Sequence, residues 1–299
     1  MKRASRSHRA GLTLVELLVA MTVTGIVGAA LIQVIMAQNR SAGTNEAWRT
    51  ARSVSRGSLN RLLADLRIAE AKGALEPTVG MSSTNITLRV PFAVGIACNT
   101  TIPLVVSLLP VDNSLWSASV ANFGGFAWRD EATSDYHYRM TSAPVVDPGA
   151  VAVCTGAGIT PLPASAGGGT PGRVVELGGS MGGSGTPTVG MNVLLLQQVR
   201  YRFAPSTALP GSTALWRDIL VGVTTVGSEE LAAPFDSTAR FRFYLADSSV
   251  AQDAVPLTRS LTRGIEIHLD GLSETIPQGS TAPKRIQLTT SVFFKNRND

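Results

Sequence analysis

Between residues 17 and 39 the chain carries no charged side chain, and residues 17–37 are predominantly apolar. A run of that length matches the roughly 20 residues a helix needs to cross a bilayer. A basic, polar opening (residues 1–10) precedes it, and a single acid, Glu16, stands at its head. Beyond the run the apolar positions become periodic. Ala47, Ala51, Val54, Ser58, Leu62 and Leu66 recur every three or four residues, with Leu59 and Leu63 widening the stripe. The pattern predicts one helix over residues 12–71, closed by Lys72-Gly73, a basic residue then a glycine as helix ends favour. Such a helix would be roughly 90 Å long. Gly43 and Gly57 are the points where it would soften or break.

After residue 71 the pattern switches to short stretches of β-branched and aromatic residues. Strands are predicted at 86–90, 102–109, 136–140, 174–177, 193–203, 215–226, 240–246, 264–269 and 285–294. Arg240-Phe241-Arg242-Phe243-Tyr244 and Ile265-Glu266-Ile267-His268-Leu269 alternate with period two, the mark of half-buried antiparallel strands. No strand–helix–strand rhythm is visible. The fold class is therefore α+β: a long N-terminal helix, its first half membrane-spanning, packed on a mainly antiparallel β head. Residues 156–190, rich in glycine, serine, proline and threonine, read as a long loop. The expected organisation is a leader at 1–11, a helix at 12–71 with a span at about 14–37, and a head at 72–299.

The formal charge of +5 over 299 residues invites a nucleic-acid reading. Lys2, Arg3, Arg6 and Arg9 all precede Gly11, however, and losing these four leaves +1. A second group, Arg40, Arg49, Arg52, Arg56, Arg61 and Arg67, is interspersed with Glu46, Asp65 and Glu70 and reads as a solvated helix face. A nucleic-acid partner is not expected. The basic opening predicts the leader on the inner, cytoplasmic side of the membrane and the head outside. In that oxidising compartment Cys98 and Cys154 are expected to be bonded rather than free. Closing a loop of this length contributes on the order of 4 kcal/mol in the chain-entropy model.

A secretory signal also joins a basic start to an apolar core, but that core is usually 7–15 residues and shorter than this one. An acid at its head is costly in lipid, less so near the helix end. The stretch Gly11-Leu12-Thr13-Leu14-Val15-Glu16-Leu17-Leu18-Val19-Ala20 resembles the processing motif of type IV pilins and pseudopilins. The resemblance implies that prepilin peptidase, a membrane aspartyl peptidase, cuts after Gly11 and methylates the new N-terminus at Leu12. It also implies a filament-assembly role for Glu16. The Leu12 amine needs a counter-charge in an apolar core, and Glu16 lies one helical turn along the same face. The resemblance implies that Glu16 pairs with its own N-terminus or with a neighbouring subunit's. Gly25, Gly28, Ala29 and Ala30 would allow close helix approach.

The sequence departs from the family pattern in two places. Leu12 stands where phenylalanine is commoner, and no proline occurs between Leu12 and Glu76. Val199-Arg200-Tyr201-Arg202-Phe203, Leu215-Trp216-Arg217 and the segment 286–298 are similar to the C-terminal region of PilW-like minor pilins, with J-type secretion pseudopilins as relatives. The partners implied are prepilin peptidase, other pilins, an inner-membrane assembly platform, and membrane lipid before assembly. Filament motor activity would come from a separate ATPase.

An enzyme reading rests on Gly178-Gly179-Ser180-Met181-Gly182, a formal GxSxG, with Asp247 or Asp253 and His268 in the order a hydrolase requires. A Gly-Ser-Thr-Pro loop follows where a helix should, and His268 occupies an alternating strand position. With His8 in the leader, His137 and His268 are too few for a catalytic metal site. The expectation is no catalytic residue, no metal and no cofactor. A non-enzymatic alternative is a single-span protein that displays its head for adhesion or ligand capture without polymerising.

Overall fold

The computed structural model describes residues 13–68, 81–111, 113–131, 136–139, 141, 143–162, 172–178, 185–245, 248–256 and 262–294. Helix α1, Leu14–Ile68, runs unbroken through Gly43 and Gly57. Its inner stripe is the one the spacing gives: Ala47, Ala51, Ser58, Leu62 and Leu66 are buried, and Val54, Leu59 and Leu63 pack beside them.

The head is an antiparallel sheet. In chain order its elements are β1 Asn85–Ala97, β2 Leu104–Leu108, α2 Asn113–Val120, β3 Phe123–Arg129, β4 Tyr136–Arg139, β5 Val145–Val146 and α3 Val151–Gly156. There follow β6 Arg173–Leu177, β7 Asn192–Pro205, β8 Thr213–Val221, β9 Thr224–Phe235, β10 Arg240–Leu245, β11 Thr262–Leu272 and β12 Arg285–Phe293. The main path runs β10-β11-β9-β8-β7-β1-β2-β6-β5. Strand β12 adds to β11, while β3 bridges β4 and β7. The long strand β7 pairs along one edge with β1. Its other edge is shared, residues 193–197 with β3 and 198–205 with β8.

This sharing divides the head between two cores. One lies under α1, where Leu62 and Leu66 meet Ile86, Tyr201, Phe241 and Ile267. The other lies away from the helix, where Trp116 of α2 covers Leu104, Phe126, Val175 and Leu195. The helix comes down closest on β11 at Gly271, where an added Cβ would sit 2.6 Å from the Ala51 carbonyl oxygen. Small residues on both sides, Ala51 and Ser55 against Gly271, permit that approach.

Three sequence readings change. The strand expected over 215–226 is a hairpin, β8 turning into β9 across Gly222 and Val223. Gly222 takes φ 61° at the first of two turn positions, where the primed hairpin turns need a positive φ that glycine adopts freely. The strand expected at 174–177 is present as β6, Arg173–Leu177, paired with β2 over its whole length, so it interrupts the segment 156–190 read as a long loop; residues 163–171 and 179–184 lie outside the described residues. Asp65, read as part of a solvated face, is buried under the head.

Candidate assembly site on the N-terminal helix

Thr13 starts α1 from outside. Its hydroxyl accepts the Glu16 backbone N–H at 3.2 Å, and its carbonyl accepts the Leu17 N–H at 3.2 Å. Thr13-x-x-Glu16 has the spacing of a capping box, with a carboxylate in the first helical turn where the helix dipole favours negative charge. Glu16 is thus held at the helix entrance by local structure, four residues after Leu12 in the sequence. Gly11 and Leu12 themselves lie outside the described residues.

From Leu14 to Met36 the helix is bare. Leu14 is 78% exposed, Met21 67% and Ile26 71%. Consecutive residues such as Leu17, Leu18 and Val19 are all exposed, so the apolar surface wraps the helix rather than forming one stripe. Helices apolar on every side are stable only when covered. The helix is long and apolar enough to cross a membrane.

The sequence-predicted cysteines meet on the far side of the head. Cys98 and Cys154 form a disulfide, buried beside Val105, Ala150 and Val174. Neither is near Glu16 along the fold: Cys98 follows β1 and Cys154 sits in α3.

The groups considered for hydrolysis are engaged elsewhere. His268 Nε2 lies 2.8 Å from Glu266 Oε1, and its Nδ1 3.3 Å from Thr289 Oγ1. Asp253 Oδ1 is 3.2 Å from both Arg240 Nε and Arg242 Nε. Ser180 and Asp247 lie outside the described residues. His137 stacks on Trp128 with ring centroids 5.3 Å apart and approaches Asp130 at 3.6 Å.

Sequence reasoning missed the polar link between helix and head. Tyr201 donates its hydroxyl to Asp65 Oδ2 at 2.6 Å, and Arg217 Nε donates to the same oxygen at 3.3 Å. Burial pushes the Tyr201 phenol far above its ordinary range, and the adjacent Asp65 charge adds to that, so it stays a donor. The available signal was phase: Asp65 lies two turns beyond Ser58, on the inward stripe. A second linkage sits on the opposite face of the sheet. Asp218, with no exposed surface, accepts from Arg200 Nη2 and Arg202 Nε, both at 2.7 Å, and from the Ser228 hydroxyl at 2.6 Å. Burial works to raise its carboxyl, but the bonds from Arg202, Ser228 and Arg200 outweigh it and hold it below the usual range.

A carboxylate placed at a helix entrance, ahead of an uncovered apolar rod, is the arrangement that the comparison with known families addresses. Residues 6–32 match the prokaryotic N-terminal methylation motif. No curated protein and no solved structure matches the chain. The motif spans Gly11, Leu12, Glu16 and most of the apolar rod, and with the membrane-length helix it supports a type IV pilin-like prepilin.

Proposed function

We propose that this prepilin-like chain is cut after Gly11, methylated at Leu12, and assembled through α1 into a type IV pilus or a related pseudopilus. It resides in the inner membrane as a single-pass precursor with its head outside, and enters the filament as a minor subunit of the PilW-like kind. The observation that carries the reading is the conjunction of the methylation motif with a rod exposed on every side from Leu14 to Met36. In lipid the rod is solvated by acyl chains. Out of lipid it needs like rods around it, and the Leu12 amine needs Glu16. Removing one member of a buried charge pair costs about 3–5 kcal/mol, at least a hundredfold in an assembly equilibrium.

The test is made in the native host. Replacing Gly11 with leucine should leave the leader attached, read as an uncut band and an unmethylated intact mass. Glu16→Ala should be cut and inserted normally, yet fall by about a hundredfold or more in sheared filaments. Normal maturation of the Gly11 variant would refute the processing step. A chain that retains residues 1–11 in the wild type would favour a non-polymerising anchored head.

A further inference from the structure

Past the membrane segment, α1 carries six arginines, all exposed: Arg40, Arg49, Arg52, Arg56, Arg61 and Arg67. Two carboxylates, Glu46 and Asp65, accompany them in this part of the described helix. Asp65 is turned inward to Tyr201 and Arg217, which leaves Glu46 as the exposed acid. At 100° per residue, Arg49, Arg52, Arg56 and Arg67 fall within about 60° of one another. They lie on the side of the helix opposite Ala51, Ser58 and Leu62. The line extends about 27 Å along the axis. None of the four has an ion-pair partner among the described residues.

We propose that this arginine line is a docking face for a carboxylate-bearing surface on a neighbouring subunit of the filament. The inference rests on the filament reading above. Two arguments select this occupant. The line is continuous with the bare rod on one helix, so covering the rod with other subunits brings those subunits alongside the line. Four aligned guanidinium groups facing another copy of the same line would repel, so the apposed surface has to supply acids. A lipid surface does not fit. With α1 near the bilayer normal, Arg49 lies about 18 Å past residue 37, beyond the screening length of roughly 8–10 Å at cellular ionic strength.

The experiment compares wild type with two triple variants of the full chain in its native host, Arg49→Gln/Arg52→Gln/Arg56→Gln and Arg49→Lys/Arg52→Lys/Arg56→Lys. Glutamine and lysine are both good helix formers, so neither variant breaks α1. Leader cleavage should be normal in both. Recovery in sheared filaments should fall about tenfold for the glutamine variant and stay near wild type for the lysine variant. Equal recovery of the glutamine variant and wild type would overturn the docking face alone. Equal failure of both variants would also overturn it, since charge would not be the cause. Absence of the wild type from filaments would overturn both this proposal and the one it rests on. The detergent-solubilised full chain is then titrated with duplex DNA. Salt-sensitive binding lost in the glutamine variant would reassign the line to nucleic acid, and absence of such binding supports the protein partner.

Discussion

Asp65 and Asp218 show how the same residue type serves opposite faces of one sheet. Asp65 fastens α1 to β7 and β8 through Tyr201 and Arg217. Changing Asp65 to alanine strands the Arg217 guanidinium in a largely buried site, a loss of about 3–5 kcal/mol. Urea unfolding of the detergent-solubilised full chain should show it. Adding Arg217→Met should restore much of the loss, and a double variant no better than the single one would refute the pairing. Asp218 predicts a pH effect. Its folded pKa lies below the unfolded value of about 3.9, so its contribution is complete above that value and is lost as pH falls through the folded pKa. The urea midpoint of Asp218→Asn should therefore depend less on pH below about 4 than that of wild type. Identical acid profiles would remove Asp218 from the account. Neither role could be read from spacing alone. The partners of Asp65 are 136 and 152 residues away, and an acid among six arginines looks like charge balance until the helix phase is given priority.

At the level of elements, periodicity was the reliable guide. The inner stripe of α1, the alternating strands β10 and β11, and the bounds of β7 and β12 all follow from it. It failed in two kinds of place. Val221-Gly222-Val223-Thr224 has no Asn-Gly or proline, so a two-residue turn hid inside a β-branched run. Phe123–Arg129, with two glycines and three aromatics, has no clean alternation because both its faces are covered. The glycines of α1 and β11 make a paired prediction. An added Cβ at Gly57 meets nothing within 4 Å, whereas at Gly271 it meets the backbone of α1. Gly57→Ala should raise stability by about 0.5–1 kcal/mol, and Gly271→Ala should lower it by about 1–3 kcal/mol by lifting the helix from β11. Thermal melts of the two full-length variants that shifted in the same direction would contradict this account of the helix–sheet contact.

The whole molecule separates a head that satisfies itself from a rod that does not, and this division was legible because charge and hydropathy change abruptly at residues 16 and 40. The two cores within the head were not legible, because strands distant in sequence, such as β1 and β7, create them by pairing. The disulfide sits in a third, smaller cluster, with Val105 and Val174 of strands β2 and β6, the strands that also carry the core away from α1. The segment it closes, with Cys98 and Cys154 at a sequence separation of 56, contains β2, α2, β3, β4 and β5, most of the lobe away from α1. The helix packs instead on β1, β9, β11 and β12. Closing such a loop contributes on the order of 4 kcal/mol, and that contribution falls on the lobe whose unfolded ensemble it restricts. In Cys98→Ser/Cys154→Ser, amide exchange protection should therefore drop in β2 and β3 while β10 to β12 stay near wild type, held by Leu62, Leu66 and the Asp65 link. A uniform fall across all strands would mean that the two cores unfold as one unit, and the bond would then stabilise the entire head rather than its outer half.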